Sequence, residues 1–303
     1  MNYTLNQLRI FHTVAEMGSI TLAAEKLNLS QPAVSMQLKK LQTQFEIPLT
    51  EILGRKVFIT DFGKKVAEDC AIIMANADRI EETVSSYKGL VTGKLKISIV
   101  STAKYVLPFF LEGYMKKYSG VELDIDVTNK GKVVKSLEEN LCDFAMVSVL
   151  PNSINLNATS LMQNELNLVC SSKMPTVTSP QELSDKLLIF RENGSATRAA
   201  MEAYLQLHKV KGYKKMVLVS NEAVKQAVIA GLGYSIMPHI GLMTELQIGS
   251  IKINSLSDLP LRTIWNLVYD KQKRLSPAAK ALIAYLEEEK DSIVAESFAK
   301  FYS

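Results

Sequence analysis

The stretch SQPAVSMQLKKL, Ser30 to Leu41, carries a proline at its head and two lysines further along. Val34, Leu38, Leu41 and Phe45 recur at spacings of four, three and four, which is one face of an α-helix. Ser30 is a good N-cap, and Pro32 in the first turn removes an amide proton that would have had no helical partner. Advancing about 100° per residue puts Pro32, Met36, Lys39, Lys40 and Thr43 on the side opposite the apolar stripe. The outward face is cationic.

Working outward, Leu5 to Met17 carries Leu8, Phe11, Val14 and Ala15 on one stripe, with Gly18 placed for a left-handed helix end. Thr21 to Leu27 reads as a compact helix closed by a turn at Asn28 and Leu29, and Ala23 and Ala24 let a neighbour approach closely. Two short helices joined by such a turn make a helix-turn-helix. Behind it, IPLTEILGRKVFIT reads as two short β segments around Gly54, Arg55 and Lys56, a wing with a basic tip.

From Thr60 the pattern becomes one long helix. Val66, Cys70, Ile73, Ala77, Ile80, Val84 and Tyr87 alternate spacings of four and three, the seam of a coiled coil. A helix with that stripe is expected to pair with a second copy. GLVTGK, Gly89 to Lys94, reads as a hinge.

Strands and helices then alternate. KLKISIV (Lys94 to Val100), VELDIDV (Val121 to Val127), DFAMVSV (Asp143 to Val149), LNLVCS (Leu166 to Ser171), KLLIF (Lys186 to Phe190) and KMVLVS (Lys215 to Ser220) read as strands. Helical patterns fall at Lys104 to Tyr118, Gly131 to Leu141, Thr197 to Leu207 and Glu222 to Ala230. This order predicts a parallel sheet covered by helices, with ligands bound beyond the carboxyl ends of strands.

At 303 residues the chain is long enough for two or three domains. The 47% hydrophobic and 22% charged residues are those of a globular protein. Bulk charge, 35 basic against 31 acidic residues, does not single out a nucleic-acid partner. Between Met1 and Lys65, however, eight basic residues face five acidic ones, a local +3 that clusters in the opening helix and the wing. Three scattered cysteines, Cys70, Cys142 and Cys170, make neither a disulfide framework nor a metal site, and a reducing cytoplasm fits them. No signal peptide and no membrane span is expected.

The major groove of duplex DNA, about 12 Å wide, admits one α-helix. Ser30, Gln31, Pro32 and Ser35 lie in the first turn and a half, where an inserted helix end makes its deepest contacts. Gln31 is suited to adenine, and Pro32 or Met36 to a thymine methyl. Lys39, Lys40, Arg55 and Lys56 would serve phosphates or, for the wing pair, the minor groove.

A second polar cluster falls at strand ends. Ser101 and Thr102 end one strand and would open the helix containing Lys104, where the positive end of a helix dipole favours an anion. RENGSATR repeats that logic: Gly194, Ser195 and Thr197 open a helix, with Arg191 and Arg198 nearby. Asn129, Ser148 and Asn221 stand at three further strand ends. These ten residues are the expected effector-binding set, although any one hydroxyl there could be a plain N-cap.

From Leu5 to Gly63 the chain resembles the winged helix-turn-helix of LysR-type transcriptional regulators, in LNQLRIFHTVAEMGSITLAAEKLNLSQPAVSMQLKKL, IPL, GRKVFIT and FG. PAVSMQLKKL, VSTAKYVLP, GSATRAAME, SNEAVKQAVIAGLG and RLSPAAKALIAYL resemble the CbbR-like subgroup associated with carbon-fixation genes. The resemblance implies an α/β chain with an N-terminal winged helix-turn-helix (1–59), a coiled-coil linker helix (60–88), a hinge (89–93) and a periplasmic-binding-protein-like effector domain (94–303). Two subdomains of that domain, about 94–165 with 266–303 and about 166–265, would enclose a small, usually anionic effector. It further implies base contacts by the positions of Gln31, Pro32 and Ser35 and backbone or minor-groove contacts by the wing. As partners it implies double-stranded DNA, a small-molecule effector and a second copy through the linker helix, assembling to a homotetramer, with RNA polymerase a further candidate and no membrane. The chain departs from the pattern at Thr50, where Phe is usual, and at Ile52, where Arg is common. Ser148 and Val149 replace Gly and Arg of the subgroup, and Phe109 and Phe110 follow Pro108 where a basic residue is frequent.

Enzyme chemistry finds no support in the sequence. His12, His208 and His239 have no ligand-spaced neighbours, the cysteines read as packing residues, and Gly231 with Gly233 does not continue as a dinucleotide fingerprint. No metal or cofactor is expected. A solute-binding protein with a helical cap is the alternative from another class, since its α/β portion would have the same architecture; the wing and the missing signal peptide weigh against it.

Overall fold

The computed structural model describes residues 2–53, 56–87 and 90–299. They form two compact units, Met1–Lys88 and Gly89–Ser303.

In the first unit, here the head, α1 (Leu5–Met17) begins with a reciprocal cap between Thr4 and Gln7 and ends at Gly18 with φ 59°. Ser19 caps α2 (Ile20–Lys26), and Ser30 caps α3 (Gln31–Gln42) by accepting from the Ala33 amide. A helix of 12 residues is marginal alone in water. What holds α3 is the burial of Val34, Leu38 and Leu41, each contributing roughly 1.5–3 kcal/mol, against Leu8, Phe11, Val14, Ala23 and Ala24. The wing is the antiparallel pair β1 (Thr50–Leu53) and β2 (Lys56–Ile59).

The helix α4 (Asp61–Tyr87) corrects one expectation. Its stripe is not all reserved for a second copy: Cys70 is buried in the head core, and Phe62, Val66, Ala67 and Met74 pack on the same core. Ile72, Ile73, Ile80 and Val84 stay exposed. The first part of the seam is consumed within its own chain, because α4 leaves the wing alongside α1.

The second unit follows the order β3 (Thr92–Val100), α5 (Leu107–Lys117), β4 (Gly120–Thr128), α6 (Lys130–Glu138), β5 (Phe144–Val147), β6 (Leu156–Ser171), β7 (Leu187–Arg191), α7 (Ala196–Leu207), β8 (Lys214–Leu218), α8 (Asn221–Ile229), β9 (Ser235–Pro238), α9 (Met243–Gln247), β10 (Ile251–Asn254), β11 (Leu261–Asp270) and α10 (Pro277–Ser297). The main sheet runs β10-β6-β11-β5-β3-β4 with β9 added on β6, and β7 and β8 pair separately.

The expected parallel sheet holds only in part. β3 is parallel to β4 and β5, and β7 to β8, but β11 runs antiparallel to both β5 and β6, and β9 and β10 run antiparallel to β6. The reason is a pair of long strands that traverse the unit in opposite directions. Met162 and Trp265 belong to one core with Phe110, Phe144 and Leu282, whereas Leu166 and Leu261, a few residues away on the same strands, pack in another with Phe190 and Tyr204. The strand expected at Leu166 to Ser171 is therefore the second part of a 16-residue one. The helix expected from Lys104 is also corrected: Ala103–Tyr105 is a separate 3₁₀ turn, and α5 starts at Leu107 with Pro108 in its first turn. Among the described residues no helix is long and apolar enough to cross a membrane.

One close approach fixes where α4 begins. A Cβ at position 63 would stand 2.1 Å from the Leu49 carbonyl oxygen. Gly63→Ala is expected to destabilise the head by about 1–3 kcal/mol, seen in calorimetry of the full chain as a lower transition for the head alone; an unchanged transition would show that the backbone yields there freely.

Candidate functional site

In α3 the burial divides the helix as its spacing requires. Gln31, Pro32, Met36, Lys39 and Lys40 are exposed, together with the cap Ser30, while Ser35 is half-buried. Among the described residues no ion pair engages Lys39 or Lys40, so their charges stay available to an external anion. Gln37 Oε1 accepts from Gln7 Nε2 of α1, 3.3 Å away, and ties the inner side of α3 to the head. Gly54, Arg55 and the Lys56 side chain, the basic tip of the wing, lie outside the described residues.

The second site forms where strand ends of separately packed cores meet. Arg191 ends β7, and only 4% of its surface is exposed. A buried guanidinium needs its donors satisfied. Its Nη2 donates to Ser101 Oγ at 3.0 Å, just after β3, and its Nη1 donates to Asn221 Oδ1, the first residue of α8. Its Nε and Nη2 also donate to the two carboxylate oxygens of the neighbouring Glu192, at 2.8 and 2.9 Å. Residues 90 positions apart are thus joined through one side chain.

The other expected residues are placed unevenly around Arg191. Asn129 caps α6, and a Cβ at Gly194 would stand 3.5 Å from its Oδ1, so these two also adjoin. Gly194 has φ 82°, which only glycine adopts freely. Ser195 caps α7, and Thr197 is buried in its first turn. Arg198 is committed elsewhere: its Nε donates to Glu202 at 2.9 Å, and its Nη1 to the Arg191 carbonyl. Ser148 is half-buried beyond β5. The dipole argument for Ser101 and Thr102 is corrected, because the Ser101 amide already donates to the Thr128 carbonyl and Thr102 makes no side-chain cap. A three-residue 3₁₀ turn has little dipole to offer.

Next to this cluster lies a charged latch that no local sequence pattern marks. Glu222 of α8 accepts from Tyr105 Oη and from Lys104 Nζ, the latter at 3.2 Å, and Lys225 pairs with both Glu222 and Glu245 at 3.1 and 2.9 Å. Burial alone would raise the Glu222 carboxyl, but hydrogen bonds from Tyr105, Lys225 and Lys104 outweigh it and bring it down to about 2. Burial, followed by the Glu222 hydrogen bond, raises the Tyr105 phenol. A Cβ at Gly241 would stand 2.8 Å from the Tyr105 ring, so the phenol is held between Glu222 and the backbone at Gly241. Neither the AKY nor the SNEAV segment signals this pairing in sequence, since it joins residues 117 apart.

A small cavity where β6 and β11 meet the turn at His239 is lined by Asn164, Glu165, His239 and Trp265 among others. Trp265 is the sole tryptophan of the chain. Its Nε1 and Asn164 Oδ1 are buried without a hydrogen-bond partner among the described residues. The three cysteines are free and buried, and burial pushes the Cys70 and Cys142 thiols up to about 11, far from the thiolate that nucleophilic chemistry needs. Among the described residues no His, Cys, Asp or Glu group could hold a metal ion.

The comparisons with known proteins identify the family of both units. Residues 5–64 match the family described as bacterial regulatory helix-turn-helix protein, lysR family, and residues 88–291 match the LysR substrate binding domain. The chain is 34% identical over 289 residues to the HTH-type transcriptional activator CmpR of Synechocystis sp., covering 94% of this chain and 95% of that one. It is 36% identical over 285 residues to a RuBisCO operon transcriptional regulator of Allochromatium vinosum, covering 93% and 94%. The regulatory domain of CcmR from Synechocystis PCC6803, solved in complex with 2-PG, superposes with a TM-score of 0.61 at 30% identity, over 64% of this chain and 96% of that one. These matches exclude the capped solute-binding alternative and any enzyme reading, and the chain belongs to the LysR family as a DNA-binding transcriptional regulator with an effector-binding domain.

Proposed function

We propose that this regulator reads its operator with the outward face of α3 and is switched by a small anion anchored on Arg191. In this reading Ser30, Gln31, Pro32, Ser35 and Met36 face base edges, and Lys39 and Lys40, with Arg55 and Lys56 of the wing, face phosphates. The observation that carries the DNA half is the separation of a fully buried face, Val34 and Leu41 at 0% exposure, from an exposed cationic one on the same helix. The protein acts in the cytoplasm, pairs through the exposed Ile73, Ile80 and Val84 of α4, and assembles as a homotetramer. Paired heads present two recognition helices to half-sites separated by whole helical turns.

The observation that carries the effector half is the buried Arg191 joining the ends of β3, β7 and α8. Arg is suited to a carboxylate or phosphate because its donors form a planar fork. Ser101, Thr102, Asn129, Ser148, Gly194, Ser195, Thr197 and Asn221 form the polar rim, with Arg198 behind it. CcmR, a relative, is solved with 2-PG in its regulatory domain, which makes that compound the first effector to try. In this reading the two subdomains, about 94–165 with 266–303 and about 166–265, enclose the effector between them; an effector shifts their arrangement only by binding one form better than another.

Three outcomes test this reading. In gel-shift titrations on promoter fragments, Lys39→Ala with Lys40→Ala should weaken binding on all sequences and flatten the salt dependence by about two units of slope, whereas Gln31→Ala should cost about 1–3 kcal/mol at one base position only. Equal losses of both kinds from either change would refute the division of labour. Titration with 2-PG, followed by the fluorescence of Trp265, should show saturable binding that Arg191→Met abolishes; a variant that binds as tightly as the parent removes Arg191 from the role of anchor. For the latch, the Glu222 carboxyl is depressed from 4.5 to about 2, so its contribution to stability is complete above about pH 4.5 and is lost as pH falls toward 2. The thermal midpoint of the parent should exceed that of Glu222→Gln at pH 7, with the gap closing over that window; a gap independent of pH would show that the carboxylate charge plays no part.

A further inference from the structure

We propose that Glu192 sets the charge requirement of the cleft, serving as an internal carboxylate that an incoming anion must displace from Arg191. The inference rests on the reading of Arg191 as the anion anchor. Glu192 takes two donors of the fork in the geometry that an external carboxylate or phosphate would use. Its side chain is 18% exposed against 4% for Arg191, so it lies on the solvent side of the pair and has a path outward. Its backbone carbonyl is held in a turn by the Ser195 amide at 3.3 Å, which fixes where the side chain starts without fixing where it ends.

Two further observations point to an exchange rather than a permanent structural pair. Asn221 is 3% exposed, and its Nδ2 is buried with no partner among the described residues, although its Oδ1 is already engaged by Arg191. A buried donor left unanswered is costly. Glu192 answers the guanidinium and leaves this amide unpaired, whereas a ligand with more acceptors than one carboxylate could answer both. The neighbouring cations are already matched, Arg198 by Glu202 and Lys104 by Glu222. Arg191 is therefore the group on which exchange of one anion for another takes place. Replacing Glu192 by a monoanion leaves the charge at the fork unchanged; replacing it by a dianion adds attraction. The resident acid thus makes the cleft select for multiply charged ligands.

The test uses the full chain and two simple probes, sulfate as a dianion and acetate as a monoanion, measured by calorimetry and by the fluorescence of Trp265. If Glu192 holds the fork about nine-tenths of the time, its removal raises apparent affinity about tenfold. Glu192→Gln should therefore bind sulfate and 2-PG about tenfold more tightly than the parent and acquire acetate binding that the parent lacks. The gain should vanish in the double variant with Arg191→Met. Unchanged or weaker sulfate binding by Glu192→Gln overturns the proposal, as does a gain that survives in the double variant. Thermal midpoints with and without sulfate keep the result readable if the single change lowers stability: a larger sulfate-induced rise for Glu192→Gln supports exchange, and an equal rise overturns it. Should Arg191→Met alone bind sulfate and 2-PG as the parent does, the anchor reading itself falls; loss of binding there with no gain from Glu192→Gln would leave the anchor standing and remove only the role of Glu192.

Discussion

The antiparallel pairing of β6 with β11 is the constraint on which the regulatory unit depends. The ladder runs from Leu261 opposite Leu166 to Asp270 opposite Leu156, with one irregularity between Trp265 and Asn266. Because each strand contributes to more than one core, the cores are separate packings sharing a common pair of girders. This brings the ends of β3 and β7, which no local sequence relation connects, to within hydrogen-bonding distance through Arg191. A guanidinium in such a place is tolerated only when its donors are answered, and the loss of one partner costs more than the pair contributes. The joint is consequently sensitive to what stands opposite the fork.

The head was legible from sequence because local signals and packing agree there. Ser30, Pro32 and the stripe Val34, Leu38 and Leu41 each ask for the same helix, and the structure buries that stripe. Gly18 and Ser19 punctuate the two helices before it. The long helix from Thr60 was equally plain, but periodicity does not say what covers a stripe. Val66 and Cys70 satisfy a coiled-coil pattern and a head core alike, and only the three-dimensional arrangement assigns them to the latter.

The regulatory unit was legible in its parallel segments and less so elsewhere. Strands buried on both faces, such as β5 with four buried residues in succession, announce themselves as apolar runs. The first part of β6, LNATSLMQNE, does not, because its outward face carries polar residues and its burial alternates. The short β9 and β10 give too few residues for a period to emerge. At the cleft, hydroxyls and amides at strand ends marked the right neighbourhood, yet their partners were invisible: Tyr105 and Glu222, or Ser101 and Arg191, are neighbours only through topology. Glu192 is hidden in the sequence for a different reason. An acidic residue beside an arginine in sequence is ordinarily a solvated surface group, and nothing local reveals that this one curls back onto the fork.

The shared use of α4 has a mechanical consequence. Its first turns are cemented into the head by Phe62, Val66 and Cys70, and the whole helix of 27 residues is about 40 Å long at 1.5 Å per residue. The shaft and the reading helix α3 pack into one core, so a small twist applied at the distal end is passed to α3 through packed side chains. A lever of that length magnifies a tilt of a few degrees into a displacement of ångströms.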